Sequence, residues 1–244
     1  MLAAGFSNPV LSAQSTFRAI LDAMARPGRV FPVQTDVAPP PPLSAAGAAV
    51  ALTLCDHDTP VWLAAELRAN ASVGEWLRFH CGCALVDDPA QAAFALASGA
   101  ADLPGFEDFS VGTPDYPDCS TTVVLQVDSL STGTSFVLTG PGIRDRSVLR
   151  AEPLPPDIAE RMAANRRLFP CGIDLILAAP AAVAALPRSV RVMEDGWCMS
   201  RRKAASVRSR TPTGCSPMSG VAIRRYRNFR SSRSRGNSRL RSTA

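Results

Sequence analysis

The chain has two histidines, and each lies beside acidic or thiol side chains. Asp56 and Asp58 flank His57, and two carboxylates at this spacing would suit a divalent cation or an exchangeable proton. The same residues also suit a turn, because aspartate close to a proline commonly ends a helix. We favour the turn, and an acid–base or metal site at Asp56 and Asp58 is the alternative.

His80 is followed by Cys81 and Cys83, which form a Cys-x-Cys pair. A zinc site needs about four ligands and usually combines Cys-x-x-Cys with a distant second pair. Because His57 is the one further histidine, the motif favours buried thiols over zinc. We therefore predict neither a metal nor a cofactor.

Residues 139–142 (Thr-Gly-Pro-Gly) follow a predicted strand, where a glycine-rich loop would suit a phosphate. No lysine follows this loop, so a structural turn is favoured. The single lysine of the chain is Lys203, which excludes a phosphate-loop or Schiff-base lysine from residues 1–198. There is no Gly-x-Ser-x-Gly motif and no convincing nucleophile–histidine pair. We predict no catalytic residue.

The net charge of +5 combines two unlike segments. Residues 199–244 hold 13 basic residues and no acidic one, whereas residues 1–198 hold 13 arginines against 21 acidic residues, a net charge of −8. The overall charge is therefore no argument for nucleic-acid binding, and we predict no specific nucleic-acid partner. The basic segment has no apolar periodicity, which predicts disorder. It fits an RNA-binding extension, a solvated tail or a segment translated out of frame.

Helical and extended patterns alternate along residues 1–195, which predicts a single α/β domain with a mixed sheet covered by helices. In the first helix, an apolar stripe from Phe17 to Met24 would face the core. Ser72 would cap the third helix and Asp157 the fourth, and the strands at 121–127 and 136–139 would pair as an antiparallel hairpin. The predicted helices are 11–26, 44–55, 72–80, 157–168 and 180–185, and the predicted strands are 30–33, 61–63, 83–86, 94–97, 121–127, 136–139, 172–177 and 189–192.

The sequence also bears on the cellular compartment. No apolar run reaches the ~18 residues that a membrane span needs, so we expect no membrane association. The first residues lack the charged start of a secretory signal, and seven cysteines lie scattered along the chain. These features predict a cytoplasmic protein with reduced thiols.

Six segments in the same order resemble the PhnH family, a subunit of the bacterial carbon–phosphorus lyase system for phosphonate use. Each segment by itself is a weak match to the family, but six matches in the same order are specific to it. They are residues 14–28, 53–63, 77–80, 138–143, 169–177 and 186–188.

The resemblance implies a fold similar to the large domain of pyridoxal-phosphate-dependent transferases, without that cofactor. It implies that the protein works together with PhnG, PhnI, PhnJ and PhnL, and that it forms a homodimer when it is isolated. The system transfers the ribose triphosphate of ATP to methylphosphonate with loss of adenine. Because the nucleosidase chemistry is attributed to PhnI, the resemblance implies a structural subunit of the synthase rather than its catalytic one.

Asp56, Asp58 and Arg78 are charged members of the matched segments, and we expect them to contact a ligand or a partner. The competing interpretation is that they cap and brace the fold. The alternative function is an independent small-molecule or metal-binding enzyme that uses the Asp56 and Asp58 region. Since the family ends near residue 195, we expect residues 196–244 to be a non-native extension produced by a frameshift.

Overall fold

The computed structural model describes residues 4–33 and 36–195. The basic segment, for which we predicted disorder and an out-of-frame origin, lies outside the described residues. The helices are α1 (Pro9–Ala25), α2 (Ala45–Leu54), α3 (Ala65–Ala69), α4 (Ala71–Cys81) and α5 (Ile158–Arg166). The strands are β1 (Phe31–Pro32), β2 (Val61–Leu63), β3 (Leu85–Val86), β4 (Phe94–Ala97), β5 (Thr122–Gln126), β6 (Ser129–Thr139), β7 (Ser147–Glu152), β8 (Asp174–Ala179), β9 (Ala182–Leu186) and β10 (Arg191–Glu194).

The larger sheet has the strand order β1-β9-β8-β5-β4-β2-β3. The strands from β3 to β8 in this order run parallel, and β9 is antiparallel to β8. In register, Thr122 lies opposite Phe94 on one side and Asp174 on the other. The amino ends of the parallel strands therefore share one edge of the sheet, and their carboxyl ends share the other. The predicted mixed sheet is confirmed.

Alternate side chains of the strands point to opposite faces, so the sheet separates two apolar cores. Val124 and Ile176 lie in the core with residues of α1, α2 and α4, whereas Val123 and Leu175 lie in the other core. Helix α2 is rich in buried alanine, and small side chains let its backbone approach the sheet closely. Helices therefore cover one face of the sheet, as predicted.

The second face is covered differently from the prediction. A three-stranded antiparallel sheet, β10-β6-β7, lies in this core together with α5. The predicted hairpin between 121–127 and 136–139 is wrong, because β5 lies between β4 and β8 and has no free edge for β6. Strand β6 pairs instead with β7 and β10.

The predicted helix at 180–185 is also wrong, since this segment forms strand β9. Val183 lies opposite Ala178 of β8 and Phe31 of β1, so both edges of β9 are paired. Alanine favours a helix in isolation, but strand pairing and burial in the sheet override so small a preference.

The apolar stripe predicted for α1 is divided between the core and solvent. Ile20 is buried together with Thr16 and Ala23. Phe17 and Leu21 are 46% and 52% exposed, although their spacing from Ile20 is helical. Helix α1 thus carries apolar side chains on a face that is about half exposed in the described part of the chain.

Two helix starts differ from the predicted caps. Helix α4 begins one residue earlier than predicted, and the Asn70 side chain accepts a hydrogen bond from the Ser72 amide, so Ser72 is not the cap. Asp157 precedes α5 without a capping hydrogen bond. Its carboxylate accepts from Arg161 Nε at 2.8 Å, and this hydrogen bond lowers the pKa of Asp157.

The described part of the chain contains five α-helices, and a helix needs about 20 mostly apolar residues to cross a bilayer. None of them is long and apolar enough to cross a membrane.

Candidate functional site

The Asp56 motif forms a turn between α2 and β2. The Asp56 amide donates to Thr59 Oγ1 at 2.6 Å, and the Asp58 amide donates to Asp56 Oδ1 at 3.0 Å. Asp56 thus braces the turn with its own carboxylate, as short polar side chains commonly do.

The outer part of the same turn faces solvent. His57 Nε2 lies 3.3 Å from Asp58 Oδ2, and both side chains are exposed. Across the described residues, no group of three or more histidine, cysteine or acidic side chains is arranged to hold a metal ion. The turn therefore presents an exposed, polar surface.

Three thiols lie near this turn, and hydrogen bonding and burial set their ionisation. The Cys81 thiol is hydrogen bonded to Cys83, which raises the pKa of Cys81 and lowers that of Cys83. Burial raises the pKa of Cys55. Arg78 also lowers the pKa of Cys83, by its positive charge. Cys83 is therefore the thiol of the pair that ionises first.

Arg78 lines a cleft of about 270 Å³ at the carboxyl ends of β2 and β3. Asn70, Gly74 and Arg78 follow each other at intervals of four residues, so they lie along one face of α4. An added Cβ on Gly74 would lie 3.4 Å from Arg78 Nη1, so the guanidinium lies across this glycine. The cleft walls also include Arg68, Glu75 and Asp87.

The two arginines of this cleft differ in their partners. Arg68 Nη1 lies 3.6 Å from Asp87 Oδ1, and these side chains are 51% and 98% exposed. Arg78 makes no hydrogen bond or ion pair with any described residue. The structure thus brings Asp56 and Asp58 together in one turn and places Arg78 in a cleft that neither of them lines.

Sequence reasoning missed the most highly connected charged pair, Arg188 and Asp174. Both side chains are 14% exposed, and Arg188 donates to both carboxylate oxygens of Asp174. The same guanidinium donates to the Pro117 carbonyl and the Ser120 hydroxyl. Both residues lie in segments that carried the family resemblance, and this was the one available signal.

The Thr-Gly-Pro-Gly segment forms the structural turn that the sequence favoured. The Ile143 amide donates to the Gly140 carbonyl, which closes a turn after β6. Gly142 has φ +79°, and an added Cβ would lie 2.1 Å from the Ala25 carbonyl oxygen. Glycine is required here because the turn approaches the end of α1.

Comparison with protein families gives a match to the model described as "Bacterial phosphonate metabolism protein (PhnH)" over residues 4–193. The chain belongs to the PhnH family. This match covers the described core and ends just before the last described residues.

Two curated relatives agree with this assignment. The chain is 45% identical over 190 residues to "Alpha-D-ribose 1-methylphosphonate 5-triphosphate synthase subunit PhnH" of Rhizobium meliloti (strain 1021), covering 78% of this chain and 94% of the relative. It is 31% identical over 184 residues to "Putative C-P lyase subunit protein HtxG" of Stutzerimonas stutzeri, covering 75% of this chain and 87% of the relative. Both relatives are named as subunits.

Proposed function

We propose that this PhnH-family chain is an assembly subunit of a ribose 1-methylphosphonate 5-triphosphate synthase. The observation that carries the proposal is the 45% identity to the Rhizobium meliloti subunit over 94% of its length. In the reaction implied by the resemblance, ribose triphosphate moves from ATP to methylphosphonate and adenine leaves. The bond-changing step lies on another subunit.

The residues support a non-catalytic role. Residues 1–198 hold no lysine, and the exposed His57 pairs with Asp58 rather than with a hydroxyl or thiol nucleophile. General acid–base catalysis needs a base positioned against its nucleophile or substrate proton.

The exposed face of α1 supports an assembly role. Val10, Phe17 and Leu21 are exposed large apolar side chains on this helix. Apolar side chains grouped on a surface commonly mark protein–protein contacts. We assign this face to a partner subunit among PhnG, PhnI, PhnJ and PhnL in the cytoplasm, and the isolated chain would form a homodimer.

Asp56, Asp58 and Arg78 are proposed as contacts to a partner or a ligand. The two carboxylates lie on an exposed turn, which suits a basic partner surface. Arg78 lies in a cleft, which suits a ligand better than a flat protein surface.

Co-purification tests the assembly role. The tagged chain, co-expressed with the other subunits, is expected to capture them, and adenine release from ATP is expected from the complex and not from the isolated chain. Turnover by the isolated chain would instead support the alternative, an independent small-molecule or metal-binding enzyme using Asp56 and Asp58.

A matched pair of variants tests the α1 face. Phe17→Ser is expected to reduce capture of the partner, because Phe17 contributes exposed apolar area on α1. Val148→Ser is the control, since Val148 is similarly exposed on β7. Equal capture by both variants would exclude this face from the interface.

We further propose that the larger sheet is related to the large domain of pyridoxal-phosphate-dependent transferases. The residues do not fit that cofactor, because residues 1–198 hold no lysine. Superposing an experimental structure on such a domain tests the relation, and an unrelated strand order would overturn it.

Residues 1–195 are proposed to be the functional unit, with residues 196–244 a non-native extension. The family match, which ends at residue 193, supports this division. Truncation after Asp195 is expected to leave partner capture unchanged. Sequencing the coding DNA tests the frameshift, and the lack of a PhnI-like start in the alternate frame would exclude it.

A further inference from the structure

The cleft between α3, α4 and the carboxyl ends of β2 and β3 holds the Arg78 guanidinium, which makes no hydrogen bond or ion pair with a described residue. We infer that this cleft binds a small ligand through a tetrahedral oxyanion, phosphoryl or phosphonyl, held by Arg78 and Arg68. The inference rests on the ligand role proposed above for Arg78, and it adds the chemical class and the second contact.

The position of the cleft is the first argument. Strands β2 and β3 are parallel neighbours, and α3 and α4 connect them. Leu63 ends β2 and Val86 ends β3, and both line the cleft. In open α/β sheets, ligands bind outside the carboxyl ends of the strands where the strand order reverses, which here is between β2 and β4, beside this cleft.

The Arg78 side chain extends along α4 into the cleft. Long helical side chains lean toward the amino end of their helix, which here carries the Arg78 guanidinium over Gly74. Gly74 is buried, and the Arg78 guanidinium lies within van der Waals distance of the position that its Cβ would take. Arg78 is thus placed in the cleft while its hydrogen-bonding capacity stays unused by the described residues.

Arg68 supplies the second contact. Its partner Asp87 is almost fully exposed, and an exposed ion pair at 3.6 Å contributes little, so an anion would displace it readily. Glu75 is the other acidic side chain of the wall and is also exposed, so solvent screens its repulsion.

The two guanidinium groups favour one class of anion. A planar carboxylate is matched by a single guanidinium fork, whereas a tetrahedral oxyanion offers three oxygens to two forks that come from different helices. The cleft volume of about 270 Å³ suits a small ligand.

Calorimetric titration of the full chain at low ionic strength tests the inference. Methylphosphonate is the first ligand, inorganic phosphate the second, and acetate the planar control. Saturable binding of a tetrahedral anion is expected, with acetate weaker. Comparing the titrations with methylphosphonate and with inorganic phosphate distinguishes a phosphonyl ligand from a phosphoryl one.

Variants locate the binding. Arg78→Gln is expected to weaken binding by about tenfold or more, and Arg78→Lys to give an intermediate affinity, because lysine keeps the charge and loses the fork. Arg150→Gln, at an exposed arginine on β7, is the control for charge alone. The basic residues of 199–244 are the same in each variant, so differences between variants report on the cleft.

Three outcomes would overturn the inference: no saturable binding by the unsubstituted chain, equal binding by Arg78→Gln, or an equal loss in Arg150→Gln. Thermal unfolding of each variant shows that it is folded. Partner capture is measured on the same variants. An Arg78→Gln chain that binds oxyanions as before but captures no partner would contradict the inference and leave the assembly role standing.

Discussion

Two arginines at opposite ends of the parallel strands in the larger sheet show how the surroundings of a charged side chain decide its role. Arg188 lies at the amino ends of β5 and β8, where it donates to Asp174 and Ser120. Arg78 lies at the carboxyl ends of β2 and β3 without an ion pair to a described residue. Both residues belong to segments that carried the family resemblance.

The difference follows from desolvation. A largely buried guanidinium must find partners for its donors, since an unpaired charge in the interior is strongly destabilising. The partners of Arg188 come from the loop before β5, the loop at Pro170 and the start of β8, so this residue links three segments of the chain. Arg78 is exposed and needs no partner for folding, which leaves its donors available to a ligand.

The largest expected effect is the loss of the Arg188 contacts. Arg188→Gln is expected to lower the free energy of unfolding by about 3 kcal/mol, because Asp174, with its side chain 14% exposed, would lose its cation. Urea unfolding measures the change. A loss below about 1 kcal/mol would show that the ion pair between Arg188 and Asp174 does not stabilise the fold as proposed.

Asn165 tests whether other polar contacts at the amino ends of the parallel strands also stabilise the fold. Its side chain is buried, accepts from the Ile173 amide at 2.8 Å and donates to the Ile173 carbonyl at 2.9 Å. Asn165→Ala is expected to cost about 2 kcal/mol in unfolding free energy, because two backbone groups lose their partner. Asn8→Ala is the control at an exposed helix cap, with an expected cost of about 1 kcal/mol. A smaller loss in Asn165→Ala than in the control would contradict the role of burial.

Cys55 extends the comparison to a buried group whose pKa is raised by burial and by nearby Cys83 and Asp56. Because its pKa is raised above the ordinary 9.0, the folded thiol keeps its proton where the unfolded chain loses it. Below pH 9 the Cys55 thiol is protonated in both the folded and the unfolded chain, so it adds no pH dependence to the free energy of unfolding. Above it, stability is expected to fall by about 1.4 kcal/mol per pH unit from this thiol.

Urea unfolding of the Cys55→Ala variant across this alkaline range measures the contribution. The slope of stability against pH is compared rather than its absolute value, because the truncation also leaves a cavity. An unchanged slope would show that Cys55 ionises equally in both states.

The smallest expected effect is at Arg78. Arg78→Gln is expected to change the free energy of unfolding by no more than about 0.5 kcal/mol, since no described residue depends on its guanidinium. The same urea experiment, beside Arg188→Gln, gives the comparison directly. A loss as large as that of Arg188→Gln would assign both arginines to the fold.

Local sequence patterns predicted where many of the helices and strands lie, but not how the strands pair. The helices α1, α2 and α4 and the strands β2, β4 and β5 lie close to their predicted positions, because periodicity, caps and β-branched runs are local signals. The wrong predictions, a helix at 180–185 and a hairpin from 121 to 139, concern segments whose state depends on distant strands. The exposed Phe17 likewise follows from which helix face meets α2 and the sheet.

Candidate site residues were found from the sequence only as charges in matched segments. Asp56, Asp58 and Arg78 were selected in that way, whereas Arg188 and Asp174 were not, although all five share the same signal. Residue type cannot distinguish a braced charge from an available one. That distinction needs the positions of the hydrogen-bond partners, such as the Pro117 carbonyl that receives Arg188.

The sequence by itself determined the family, through six ordered segments, and it excluded lysine chemistry from residues 1–198. It also located the change of charge near residue 198. The tertiary structure decided which strands share a sheet, which face of α1 stays exposed and which arginine forms no ion pair with a described residue. These properties depend on contacts between residues far apart in the chain, and only the packed sheet with its two cores brings those residues together.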